Sequence, residues 1–171
     1  MATIEDDLRF LITTLQDERK DAHDELATCA VPGTFGEAWE LFRALCNTRL
    51  PIPASAKFLA KQDKLLHAII SEEGITYAGL IPPCTGDPNI AVWKGDITTL
   101  AADAIVNAAN SQLLGCWVPG HHCIDNAIHT FAGVQLRLEC AAIVKAQGHE
   151  EPTGQAKVTN AYNLPSSLVI H

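Results

Sequence analysis

Basic residues are scarce in this chain of 171 residues: 12 Lys and Arg stand against 20 Asp and Glu, a formal net charge of -8. A surface that coats phosphates with cations is absent, so nucleic acid is not expected as a partner, because non-specific affinity for it rests on counterion release by Lys and Arg. Long apolar runs are missing as well. None approaches the ~20 residues that a bilayer-spanning helix requires, so no membrane insertion is expected. The opening residues Met1-Ala2-Thr3-Ile4-Glu5-Asp6-Asp7 carry no signal-peptide core. With six cysteines, that absence points to a reducing compartment, the cytoplasm, where thiols serve metals or cores. Internal repeats and low-complexity tracts are also lacking. What is present is 47% hydrophobic residues, enough for one ordinary domain or for a small helical unit plus part of another.

The first half of the chain reads as helices. Leu8, Leu11, Ile12 and Leu15 recur at helical spacing in an acidic segment. Thr34-Phe35-Gly36-Glu37 has the form of a capping box, opening a helix through Trp39, Leu41, Phe42 and Leu45. Pro51 and Pro53 separate it from a third helix that starts near Ser55, carries Phe58, Leu59, Leu65, Leu66, Ile69 and Ile70, and stops at Gly74. His67 reads as a surface or half-buried helix position, and Cys29, Cys46, Cys84 and Cys140 as small hydrophobes or free thiols. The turn-forming run Ile81-Pro82-Pro83-Cys84-Thr85-Gly86-Asp87-Pro88 marks a boundary. It divides a helical segment, residues 1–85, from an α/β segment, residues 86–171. In the latter, Ile90-Ala91-Val92-Trp93 is a predicted strand, Ala104-Ile105-Val106 a buried strand, and Asn107-Ala108-Ala109-Asn110 a polar loop at its carboxyl end. Ligands of open α/β sheets bind at such ends. Asp125 opens a helix with Ile128 and Phe131, broken near Gly133. Another runs through Leu136, Leu138, Ile143 and Val144 to Gly148. Residues 156–159 and 168–171 are two further predicted strands.

The densest chemistry lies in Gly115-Cys116-Trp117-Val118-Pro119-Gly120-His121-His122-Cys123-Ile124-Asp125-Asn126. Thiolate and imidazole are the ligands that zinc takes at ~2.0 to 2.3 Å. Cys116, His121 and Cys123 can converge through a turn at Pro119 and Gly120, whereas adjacent His121 and His122 point apart. With His122 set aside, no further Cys or His lies within the segment, which leaves the coordination sphere open, as in catalytic zinc sites. The alternative is a pair of buried thiols near a turn.

Gly95-Asp96-Ile97-Thr98, Ala104-Ile105-Val106-Asn107-Ala108-Ala109-Asn110, Ile124-Asp125-Asn126-Ala127-Ile128-His129 and Pro152-Thr153-Gly154-Gln155-Ala156 together resemble the macrodomain family of ADP-ribose-binding proteins and ADP-ribosyl hydrolases. The insertion of Cys116, His121 and Cys123 resembles its zinc-dependent branch, whose members tend to carry an N-terminal helical extension. The resemblance implies a three-layer α/β/α macrodomain, a mixed sheet flanked by helices, preceded by such an extension. It implies that Asp96 contacts adenine with help from the Ile97 backbone. Asn110 would bind the distal ribose, and Asn107 would shape the loop or simply hold its turn. Asp125 is similar to the acidic residue near the distal ribose, a role compatible with a helix N-terminal carboxylate. His129, one turn on, reads as packing or support. Asp125 and Asn110 are thus the candidate catalytic residues, Asp96, Ile97, Asn107 and Asn110 the candidate ADP-ribose contacts, and Cys116, His121 and Cys123 the candidate ligands of Zn2+. Helix N-termini could offer N–H groups to the diphosphate.

The residues 168–171 look like the beginning of a central macrodomain strand, so the family's later phosphate loop and adenosine platform are expected to be missing from this chain. The activity implied is zinc-dependent removal of ADP-ribose from mono-ADP-ribosylated protein side chains, with Asp/Glu-linked esters the expected linkage. Two other readings stay open: a non-catalytic ADP-ribose reader with a structural zinc, and a deacetylase of O-acetyl-ADP-ribose.

Overall fold

Three amphipathic helices build the amino-terminal layer, each started by a side chain that satisfies an otherwise orphaned N–H. The structure, a computed structural model, describes residues 3–19 and 24–171. Helix α1 (Ile4–Asp17) opens on a capping box: Thr3 Oγ1 accepts from the Asp6 amide at 3.1 Å, and Asp6 Oδ2 accepts from the Thr3 amide at 2.8 Å. After a single turn, α2 (Glu25–Thr28), helix α3 (Phe35–Asn47) starts at Thr34, whose hydroxyl accepts from the Glu37 amide. The return contact differs from the predicted box, because the Glu37 carboxylate takes the Thr34 hydroxyl at 2.6 Å. Helix α4 (Ala56–Glu73) is capped by Ser55, which accepts from the Phe58 amide, and ends at Gly74 as expected.

The apolar stripes of α1, α3 and α4 meet in one core of Leu8, Leu11, Ile12, Leu15, Phe42, Leu45, Phe58, Leu65 and Leu66. The stripes predicted from helical periodicity are thus the ones buried. Trp39 stacks on Phe42 with ring centroids 5.5 Å apart and reaches Phe131 of the second half at 5.6 Å.

Two small strand pairs follow: β1 (Thr76–Tyr77) lies parallel to β4 (Leu100–Ala101), while β2 (Pro83–Cys84) and β3 (Asp87–Ala91) form an antiparallel hairpin. Because the hairpin turns at Thr85-Gly86, β3 begins earlier than the predicted Ile90–Trp93, and Val92 lies exposed beyond it. The main sheet has the order β5-β7-β6, built from β5 (Ala104–Val106), β6 (Val158–Asn160) and β7 (Leu168–Ile170). It is mixed, since β5 runs parallel to β7 and β6 antiparallel to it. Ile105, Val169 and Thr159 sit in register on one face and are buried beneath α5 (Ile124–Ala132) and α6 (Val134–Gln147). Val106, Val158 and Leu168 point the other way and are exposed. The strand predicted as buried is therefore buried at Ile105 alone, because alternate residues of a strand face opposite sides. Among the described residues, helices cover one face of this sheet.

Helices α5 and α6 meet at Gly133 with a bend of 109°. No single described helix is long and apolar enough to cross a membrane. Gly133 has φ +99, and a Cβ there would lie 2.5 Å from Gln62 Nε2, so only glycine fits. That close approach serves a purpose. Gln62, buried in α4, accepts the first amide of α6 on Oε1 (Val134 N, 2.9 Å) and donates through Nε2 to Gln135 at 2.8 Å. Replacing Gln62 by Ala leaves a buried helix amide unpaired, so urea unfolding should report a loss of about 1–3 kcal/mol.

Candidate functional site

The carboxyl ends of the parallel strands β5 and β7 converge with the amino end of α5. The Asn107 amide donates to Ile170 O at 2.8 Å, which places Asn107 beside His171 at the rim of the sheet. Its side chain does not hold its own turn. Instead, Asn107 Nδ2 donates to Asp125 Oδ1 at 2.8 Å and to His171 Nδ1 at 3.2 Å. His171 Nε2 then carries the proton and donates to Thr159 Oγ1 at 2.9 Å. Asn107 Oδ1 is buried without a partner among the described residues. Asp125 is buried, and burial raises its pKa while the Asn107 hydrogen bond and the Arg137 charge lower it.

Two residues before Asp125, the segment 115–123 folds so that one donor atom each of Cys116, His121 and Cys123 lies within 4.8 Å of the others. Cys116 Sγ is 3.4 Å from His121 Nδ1. The neighbouring imidazole turns away, as His122 Nδ1 lies 3.1 Å from Arg43 Nη1 and Nε2 lies 4.0 Å from Glu40. Two thiols and an imidazole so gathered fit a borderline-soft cation, the chemistry of zinc. Burial raises the Cys123 thiol above its usual range, the Asn126 amide opposes this, and Cys116 adds to it. Cys123 also caps α5, its sulfur accepting from the Asn126 amide at 3.4 Å. Gly115, at the loop's entrance, has φ +77, and a Cβ there would sit 2.9 Å from the His129 ring. Glycine alone lets the loop lie this close to α5.

The remaining predicted contacts are arranged around this centre. Asp96 caps the short 3-10 turn Ile97–Thr99, where its Oδ1 accepts the Thr98 amide and hydroxyl, both at 2.8 Å. That turn packs against α4 and α5. Asp96 itself stays exposed. Asn110 holds its loop by donating to Gly115 O at 3.2 Å and accepting the Gln112 amide at 3.0 Å. It also lines an open cleft of about 270 Å³ with Thr153, Gly154, Gln155 and His171, so the structure gathers two of the sequence motifs there.

Several residues beside the site escape a reading of the sequence, whereas His129 is expected there as packing or support. It is buried 3.6 Å from Asp125, with neither ring nitrogen hydrogen-bonded among the described residues. Its place four residues after Asp125 on one helix was the available signal. Cys140 and His171 join it, their donor atoms lying within 4.8 Å of one another, a grouping that only the tertiary fold creates. Arg137 is buried, and burial lowers its pKa. It donates to the backbone oxygens of Cys46, Asn47 and Arg49 at 3.3, 2.8 and 2.8 Å, with the Trp117 ring 4.2 Å from its guanidinium carbon.

The buried imidazoles predict acid sensitivity. Burial, then the Arg137 charge, holds His129 well below its ordinary 6.5, and burial lowers His171 to about 4. The unfolded chain takes up these protons before the folded one does, so their contribution is complete above pH 6.5 and is lost as pH falls through about 4. Asp125, with its raised pKa, works in the opposite sense. Urea unfolding across that window should show the decline, and His129→Gln should flatten it.

Residues 106–171 match the Macro domain family model. The protein named "Protein-ADP-ribose hydrolase" from Staphylococcus aureus strain MRSA252 is 49% identical over 164 residues, covering 96% of this chain and 59% of that protein. Its namesake from Treponema medium is 51% identical over 164 residues, covering 95% and 61% respectively. The chain therefore spans about three-fifths of the length of these curated relatives. Among solved structures, the Trypanosoma brucei macrodomain in complex with ADP-ribose is similar at 28% identity and a TM-score of 0.51, over 75% of this chain and 57% of that one. With its mixed sheet under two helices and this match, the chain has the α/β macrodomain fold, and its residues 106–171 are similar to the Macro domain family.

Proposed function

We propose that this chain contributes the metal and acid centre of a hydrolase that removes ADP-ribose from mono-ADP-ribosylated protein side chains, with carboxylate esters as the linkage cleaved. The observation that carries this reading is the joining of two features with only Ile124 between them. A cluster of soft donors, Cys116, His121 and Cys123, leads directly into a buried carboxylate fixed by a neighbouring amide. The similarity to relatives named protein-ADP-ribose hydrolase supports the same activity.

Cys116, His121 and Cys123 would hold a zinc ion, with a position left open for a ligand from solvent or substrate. When bound, zinc would supply Lewis-acid polarisation of an oxygen facing that position. The protein's own groups do the rest. Asn107 pins Asp125 Oδ1, which leaves Oδ2 to hold a ribose hydroxyl or to move a proton. Asn110 and the segment 152–155 border the cleft in which the distal ribose would rest. Asp96 keeps one carboxylate oxygen beyond its own cap for an exocyclic amine, with the Ile97 backbone beside it. The free thiols suit a reducing cytoplasm.

The test is release of ADP-ribose from a mono-ADP-ribosylated acceptor by the protein, with and without chelator, beside elemental analysis. About one zinc per chain is expected, lost in Cys116→Ser and Cys123→Ser and kept in His122→Ala. Asp125→Ala should keep the metal and slow turnover by about 10²- to 10⁴-fold. Binding of ADP-ribose without any turnover would replace the hydrolase reading by that of a reader.

A further inference from the structure

The metal loop is held from outside, by the last turn of α3. Asn47, the final residue of that helix, is buried, with 2% of its surface exposed. Its Oδ1 accepts from the Gly120 amide at 3.1 Å, in the middle of the loop. Its Nδ2 donates to Asn126 Oδ1 at 2.9 Å, in the first turn of α5. One side chain thus ties the loop to the helix that carries Asp125. Arg43, one turn earlier, donates to His121 O at 3.4 Å and contacts the His122 ring. Arg137 grips Asn47 O at 2.8 Å and extends its other nitrogen to Cys116 O at 3.5 Å. The backbone carrying the first two soft donors, and the amide between them, is therefore fastened to α3 directly or through Arg137.

We propose that Asn47 is a positioning residue for the metal site, holding the loop 115–123 in a ligand-ready shape before a metal arrives, so that the helical layer sets the affinity. The inference rests on the metal reading of the preceding section for its functional meaning. Its physical basis is the entropy of ordering: fixing one residue's backbone costs about 1–2 kcal/mol, and a loop already fixed is spared that cost when its donors close on an ion. Groups that orient metal ligands without touching the metal typically change affinity by about 10- to 100-fold when removed.

Four proteins test it: the parent, Asn47→Leu, Asn47→Asp and Arg43→Gln. Amide hydrogen exchange of the metal-free proteins is read first. In Asn47→Leu, exchange across 115–123 should rise about tenfold or more while α1 and α4 keep their protection, which certifies the fold. Asn47→Asp should rescue, since its carboxylate still accepts the Gly120 amide and, with the Asn126 amide turned over, can take Asn126 Nδ2, which has no partner among the described residues. Affinity for zinc, by competition with a chromophoric chelator, should fall about 10- to 100-fold in Asn47→Leu and stay within about threefold of the parent in Asn47→Asp. Unchanged exchange in Asn47→Leu overturns the proposal, as does unchanged affinity in a parent that binds zinc. Should Asn47→Leu fail to fold, Arg43→Gln decides: faster exchange at 121–122 supports the clamp, and parental exchange there overturns it. A parent that takes up no zinc removes the metal reading, and the exchange comparison still determines whether α3 holds the loop.

Discussion

A buried guanidinium joins the two halves of this protein. Arg137 projects from α6 onto the carboxyl end of α3, where its Nη1 donates to the oxygens of Cys46 and Asn47, the last two residues of that helix, and of Arg49 just beyond it. A cation at a helix C-terminus is favoured by the helix dipole, and the oxygens replace the water the charge has lost. Gln62 performs the converse service, carrying an acceptor from α4 to the first amide of α6. Each half therefore completes a helix end belonging to the other. Without this exchange, both ends would be buried with unmet backbone groups, and the loop against Trp117 and Cys116 would lose its floor.

On that foundation the site is assembled largely from uncharged groups. Asn107 links Asp125 to His171, His171 passes to Thr159, and His129 lies against Asp125 as a neutral ring. Burial is the common cause: it raises the Asp125 carboxyl and the Cys140 thiol while lowering the His129 and His171 imidazoles.

The sequence disclosed features whose cause is local. Leu8, Leu11, Ile12 and Leu15 announce their helix because periodicity alone decides which face is buried. Thr34, Ser55, Gly74 and Gly133 mark helix ends because capping is settled within a few residues. Cys116, His121 and Cys123 were legible as a group for the same reason: a short bent loop has few ways to arrange them. Illegible were the groups that act across long separations. Asn47 meets Gly120 over 73 residues, and Arg137 meets Cys46 over 91, and no pattern near either residue distinguishes it from an ordinary surface polar side chain. The strand at 104–106 shows the intermediate case, as its apolar residues were plain but which of its faces would be covered was not.

The sulfur of Cys123 belongs to the cluster with Cys116 and His121 and, in the same atom, caps the helix of Asp125. There is no linker between the two tasks and so no slack. Here a displacement of that sulfur is a displacement of the helix origin, and the carboxylate two residues on inherits it. Modification of this one atom, by oxidation or alkylation, would therefore shift the Asp125 carboxylate as well as break up the donor cluster.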